Sequence, residues 1–80
     1  MTTNTNNQNV LVAYKRARAD IASLADWIEC ELEKYDDDPD LTWATVGTLE
    51  SVREQMINAL EHISGVPHTE IQRSLDELHM

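Results

Sequence analysis

The sequence has few of the residues that build aromatic cores or interrupt helices. Among its 80 residues there is no phenylalanine, and tryptophan, tyrosine, glycine and proline occur twice each. A chain of this length forms one domain with a small core, so its packing must rest mainly on aliphatic side chains. Scarce glycine and proline leave long stretches free to be helical. These absences favour an all-α fold over a sandwich.

Cysteine and long apolar runs are also scarce. Cys30 is the one cysteine, so no disulfide can form within the chain, which is typical of a reducing compartment. No apolar run approaches the roughly 18 residues of a membrane span, and the N-terminus has no apolar signal-peptide segment. We therefore expect a cytoplasmic protein without a membrane association.

Basic residues are few as well. Six lysines and arginines stand against fifteen aspartates and glutamates, which gives a net charge of −9. Binding to nucleic acid or to an anionic membrane depends on neutralising phosphate groups with basic side chains. We therefore expect a basic protein, rather than nucleic acid or membrane, as the partner.

The first half of the chain predicts one long helix. Residues 1 to 8 are polar and predict a disordered tail, whereas residues 9 to 80 are expected to form a single helical domain. The first helix is predicted over about 9–35, with its N-cap at Asn7 or Asn9. Its apolar residues recur in steps of three and four, at Val10, Tyr14, Ala17, Ile21, Leu24 and Ile28.

A second helix is predicted over about 42–64. Pro39 ends the first helix, and Thr42 or Asp40 caps the second. Gly65 suits the left-handed position that follows a helix. The apolar residues of this helix also recur in steps of three and four, at Trp43, Val46, Leu49, Val52, Met56, Leu60 and Ile63.

A short third helix is predicted over about 69–79. Thr69 and Gln72 have the spacing of a capping box, in which each side chain bonds the backbone of the other residue. The helix is too short to be stable alone and must dock on a neighbour. Its apolar positions are Ile71, Leu75 and Leu78.

Short connections place the first two helices side by side as a long antiparallel hairpin. We expect Gly47 to mark their close crossing, and Trp27 and Trp43 to lie in the core. The apolar arc of the first helix is wider than one neighbour covers, which predicts a homodimeric helical bundle. The predicted dimer interface consists of Tyr14, Ala17, Ile21, Leu24, Trp27 and Ile28.

The charges of the first helix have the opposite order to the one that its dipole favours. A basic cluster near its N-terminus consists of Lys15, Arg16 and Arg18, whereas residues 20 to 40 contain nine acids and one lysine. The helix dipole favours the opposite order. Two copies packed antiparallel, crossing near Leu24, would bring each basic end onto the other's acidic end. Alternatively, the charges form a solvated face, and Arg16 and Arg18 pair with Glu54 and Glu61 of the second helix.

The acids near the end of the first helix form a predicted partner surface, which we call the acidic surface. It can dock a basic protein, and it can do so as a mimic of nucleic acid; the alternative is that these acids only keep the protein soluble. Its residues are Asp26, Glu29, Glu33, Asp36, Asp37, Asp38 and Asp40.

No catalytic, metal or cofactor site is expected. Asp36, Asp38 and Asp40 have the initial spacing of a calcium loop, but Leu41 and Gly47 stand where that loop needs glycine and glutamate. The other carboxylates lack an E-x-x-H motif, and the histidines and the cysteine lack zinc-ligand spacing. The composition therefore favours a non-enzymatic interaction or regulatory module.

Residues 60 to 75, LEHISGVPHTEIQRSL, carry the most specific pattern. The segment resembles the helix-turn-helix of bacterial repressors at Leu60, Gly65, Val66, Ile71 and Arg73. The resemblance implies, as the alternative function, a DNA-binding regulator that uses residues 60 to 75. The sequence departs from the motif at Glu61 and Ser74, and it places Glu70, Asp76 and Glu77 where phosphate would lie. A helix end followed by a capping box gives the same pattern without DNA.

Overall fold

The computed structural model describes residues 2–79, with side chains from Gln8 onward. It contains three helices, α1 (Thr2–Glu33), α2 (Trp43–Ser64) and α3 (His68–Leu78). No strand occurs within these residues, so the predicted all-α class with three helices is confirmed. Met1, in the predicted tail, and Met80, in the predicted domain, lie outside the described residues.

The chain divides into two compact units, Met1–Pro39 and Asp40–Met80. The first unit contains α1 and the turn residues Asp36, Asp37 and Asp38, and the second contains α2 packed on α3. The predicted hairpin of the first two helices would involve contacts between the two units, and the predicted dimer would involve contacts between two copies. Both stay predictions.

Helix α1 begins at Thr2, ahead of the predicted start at Asn9. Residues 2–8, expected in a disordered tail, continue the helix, because a segment without glycine or proline extends an existing helix at small cost per residue. Asn7 and Asn9 therefore lie inside the helix and cap neither end, so that prediction is wrong. The helix ends at Glu33 in a turn where the Tyr35 N–H donates to the Leu32 carbonyl at 3.0 Å.

Helix α2 begins and ends as the sequence predicts. Thr42 is its N-cap, and a reciprocal capping box joins it to Thr45. The Thr45 N–H donates to Thr42 Oγ1, and the Thr42 N–H donates to Thr45 Oγ1, both at 3.3 Å. At the other end Gly65 has the left-handed φ of 75°, and its N–H donates to the Glu61 carbonyl at 2.9 Å. Both predicted cap positions are confirmed.

Helix α3 begins differently from the prediction. It starts at His68, directly after Pro67, whose extended backbone leads into the helix. Thr69 lies inside the first turn, so the predicted capping box of Thr69 and Gln72 is wrong. The His68 N–H instead donates to Glu61 Oε2 at 2.8 Å. A carboxylate of the preceding helix thus caps α3.

The core of the second unit is built on two isoleucines. Ile57 is 3% exposed and Ile71 is 7% exposed. Ile57 lies outside the predicted apolar face of α2, whose neighbouring member Met56 is 48% exposed. Adjacent helix positions differ by about 100° around the axis. Helix α3 therefore packs beside the predicted face, where Glu54, Ile57 and Glu61 recur in steps of three and four.

Both tryptophans and Gly47 are exposed within their own units. Trp27 is 65% exposed and Trp43 is 87% exposed, so neither belongs to the core of its own unit. A Cβ at Gly47 would meet no heavy atom within 4 Å among the described residues. Gly47 is therefore an interior glycine of α2 with open space around it. Its predicted crossing with α1 would join the two units and stays a prediction.

Candidate interaction surfaces

An exposed apolar stripe runs along α1. Its members recur in steps of three and four, so they share one face of the helix. Tyr14, Ile21 and Leu24 are 58%, 59% and 55% exposed, Ala17 is exposed and Ile28 is half-buried. A contiguous exposed apolar face is a candidate interaction surface. We define the apolar stripe as Tyr14, Ala17, Ile21, Leu24 and Ile28.

Trp27, the remaining residue of the predicted interface, lies at the edge of the apolar stripe. It precedes Ile28, so it is turned by about 100° around α1. Its Nε1–H donates to Glu31 Oε1 at 3.1 Å. The indole therefore flanks the stripe and is held by a carboxylate.

Glu31 is the centre of a small polar network beside the stripe. Lys34 Nζ lies 2.9 Å from Glu31 Oε2. The hydrogen bond from Lys34, followed by the one from Trp27 and the positive charge of Lys34, lowers the pKa of Glu31. The same contact raises the pKa of Lys34. Glu31 thus stays ionised at neutral pH, and its charge is locally balanced.

The acidic surface follows α1 into the turn. Asp26, Glu29 and Glu33 are exposed and recur in steps of three and four, so they lie on one face of the helix. Asp36 and Asp37 are exposed in the turn, and Asp38 is half-buried. The remaining member, Asp40, is exposed in the second unit. The three carboxylates on α1 are therefore the part of this surface with a defined common face.

The basic cluster is exposed on α1. Its alternative predicted partners on α2 both contact His68. Glu54 Oε1 lies 2.6 Å from His68 Nε2, and Glu61 accepts the His68 N–H. These carboxylates are thus engaged within the second unit. Sequence reasoning missed this arrangement, although two acids two helical turns apart and a histidine just after a proline were its signal.

The segment that resembles a helix-turn-helix forms two packed helices joined at residues 65–67. A largely apolar groove of about 540 Å³ lies between them. Arg73, a residue of the resemblance, is exposed and pairs with Glu70 at 3.2 Å. The groove is lined by Leu60, Ser64, Val66, Glu70, Ile71, Ser74, Leu75 and Leu78.

The described residues contain no group of three or more histidines, cysteines or acids that could hold a metal ion. Cys30 is a free, exposed thiol. Over the same part of the chain, none of the helices is both long and apolar enough to cross a membrane.

Comparisons of the chain with protein-family models, with curated proteins and with solved structures found no match. The candidate surfaces thus rest on their own geometry and charge.

Proposed function

We propose that this protein is a small, acidic, non-enzymatic interaction module of the cytoplasm. It acts as a homodimeric helical bundle and presents its acidic surface to a basic protein partner. The observation that carries the proposal is the apolar stripe of α1, where Tyr14, Ile21 and Leu24 are each more than half exposed.

Exposure on this scale is costly for so small a chain. Fully burying a leucine or isoleucine side chain contributes about 1.5–3 kcal/mol. A domain of this size has little stability to spare. Ile21 and Leu24 are 59% and 55% exposed, so a partner that covers both contributes roughly 2–3 kcal/mol, a sizeable part of the stability of a small domain. This supports assembly as the working state.

The acidic surface supports a basic partner. Asp26, Glu29 and Glu33 lie on one face of α1, and the chain carries a net charge of −9. Such a field raises the association rate with a positively charged surface and disfavours acidic ones. A row of carboxylates on a rigid helix also resembles a row of phosphates, so a nucleic-acid-binding protein is a specific form of this partner.

The dimer is tested by mass. We expect sedimentation equilibrium at micromolar concentration to give twice the mass of the chain. Ile21→Lys places a charge on the apolar stripe and should give one chain mass. Ser23→Lys adds the same charge to the opposite side of α1 and should stay dimeric. A wild-type mass of one chain contradicts the proposal.

The acidic surface is tested by charge-matched variants. Asp26→Asn with Glu33→Gln removes two charges from α1, and Glu50→Gln with Glu77→Gln removes two from the second unit. We expect basic proteins to be enriched on the immobilised wild type, and this enrichment to fall only with the first pair. Equal loss with both pairs would show that total charge, and no particular surface, is responsible.

A second candidate is a helix-turn-helix regulator that uses residues 60 to 75. The observation that favours it is the packing of α3 on α2 across the turn at 65–67, with Ile71 buried. The charges do not favour it, because Arg73 pairs with Glu70. Binding to DNA requires basic groups that are free to contact phosphate.

A further inference from the structure

We propose that the apolar stripe of α1 is covered by the same stripe of a second copy, antiparallel and in a single register, with Ile21 of each copy against Leu24 of the other. This inference rests on the proposed homodimer and specifies how the two copies meet. The two-fold axis then passes between Ala22 and Ser23.

In this register the stripe residues from Ala17 to Ile28 pair with one another. Antiparallel helices that meet along a seam bring together residues on opposite sides of the two-fold axis. Ala17 then lies against the second copy's Ile28, and Ile21 against its Leu24. The small Ala17 thus faces the larger Ile28, whereas Ile21 and Leu24 have side chains of equal size, and both pairs allow close packing. The stripe is then buried from Ala17 to Ile28.

The register also gives Glu31, the acid at which the apolar stripe ends, a polar neighbour. Glu31 follows Ile28 at the next position of the same face, where an apolar residue is expected. In this register it faces the second copy's Tyr14, whose hydroxyl can donate to the carboxylate. Glu31 is kept ionised by Lys34 and Trp27. Sliding the copies by seven residues in one direction would instead place this charge against Ile21, an unpaired burial that is costly.

Sliding the copies in the other direction loses the complementary charges. The acidic half of α1 would then face residues 5 to 12 of the second copy, which contain no basic residue. In the proposed register it faces the basic cluster. Arg18 and Ala25 each flank the stripe, directly after Ala17 and Leu24, so Arg18 of one copy lies beside Ala25 of the other. The small side chain of Ala25 leaves room for the guanidinium to reach Glu29, one helical turn further along.

A parallel dimer has the opposite electrostatics. It would bring the basic cluster of one copy beside the basic cluster of the other, and Glu29 beside Glu29. Like charges at neighbouring positions on packed helices are destabilising. The charge distribution of α1, which opposes its own dipole, therefore suits an antiparallel partner with the same sequence.

Cysteine cross-linking tests the register. In a Cys30→Ser background, Ala17→Cys together with Ile28→Cys should give a disulfide-linked dimer under mild oxidation. Positions 17 and 28 of one helix are about 16 Å apart, at 1.5 Å per residue, so they cannot link within a chain. Ala17→Cys alone should give no linked dimer, because its partner is Ile28. Linked dimer from Ala17→Cys alone indicates parallel chains and overturns the inference.

The reduced variants separate this inference from the proposed function. A one-chain mass for the Cys30→Ser protein overturns both the homodimer and its register. A dimeric mass for the reduced double variant without a linked product on oxidation overturns the register only.

A charge exchange tests the register without cysteine. Arg18→Glu should raise the dimer dissociation constant several-fold, and adding Glu29→Arg should restore it. Loss of affinity that Glu29→Arg does not restore overturns the proposed contact.

Discussion

Glu61 accepts the backbone N–H of His68 at 2.8 Å, so a side chain of α2 caps α3. The main-chain carbonyl of the same residue accepts the Gly65 N–H at 2.9 Å. Glu61 therefore both ends one helix and begins the next. The first N–H groups of a helix have no partner within it, and a negative charge there is favoured by the helix dipole. This carboxylate helps to hold a helix that is too short to be stable alone.

Removing the Glu61 carboxylate should destabilise the second unit. We expect Glu61→Ala to lower the free energy of unfolding by about 1 kcal/mol, the usual effect of losing a cap. Glu61→Gln should lose less, because the amide oxygen can still accept. Urea unfolding followed by circular dichroism measures both. Glu50→Ala, an exposed acid on the same helix, is the control. An equal loss in that control would assign the effect to charge or helix propensity.

The two glycines should respond to alanine with opposite signs. A Cβ would meet no heavy atom within 4 Å at either position among the described residues, so only the backbone differs. Gly65 has a φ of 75°, and Gly65→Ala should cost about 1–2 kcal/mol. Gly47 lies inside α2, and Gly47→Ala should stabilise by roughly 0.5–1 kcal/mol. Thermal unfolding of both variants tests this. A destabilising Gly47→Ala would indicate a neighbour packed against that position.

The helices and caps of the second unit that could be predicted are those decided locally. Thr42 and Gly65 act within a few residues of their own position, so the sequence around them is sufficient. The cap of α3 could not be read in this way, because Glu61 lies in the preceding helix and reaches His68 only after α3 has docked.

The face of α2 that α3 covers could also not be predicted from the spacing of apolar residues. Ile57 is flanked on its face by Glu54 and Glu61, whereas the neighbouring face of α2 is more continuously apolar. A search for apolar periodicity therefore selects the neighbouring face. Glu54 and Glu61 both contact His68, so this interface combines a buried isoleucine with polar contacts. Tertiary packing, and not the strength of the apolar pattern, determined the choice.

The periodicity of α1 predicts which residues share its apolar face but does not determine what covers that face. The same spacing is produced by a residue that packs within its own chain and by one that packs against another copy. Trp27 and Trp43 illustrate this limit of periodicity. Both are residue types that are common in cores, and each is largely exposed within its own unit. In the dimer proposed above, the charge distribution of α1 supplies the additional argument for a second copy as the partner.

The second unit should not bind DNA specifically. Arg73 pairs with Glu70, and acids outnumber the basic residues of α3. We expect no retention of the protein on duplex DNA at low salt. Arg73→Ala should leave this behaviour unchanged. Retention that is lost as salt rises, and that Arg73→Ala weakens, would instead support the helix-turn-helix function.

Protonation of Glu31 should be visible in the fluorescence of Trp27. Trp43→Phe leaves Trp27 as the one tryptophan. The hydrogen bonds from Lys34 and Trp27 lower the Glu31 pKa below its ordinary value of 4.5. Because the pKa is lower in the folded state, the stabilising contact is complete above pH 4.5 and is lost as pH falls through the folded value. We expect an emission change with a midpoint below 4.5, absent in Glu31→Gln and shifted upward in Lys34→Met. Glu29→Gln should keep it, and a midpoint unaffected by Lys34→Met would contradict this assignment.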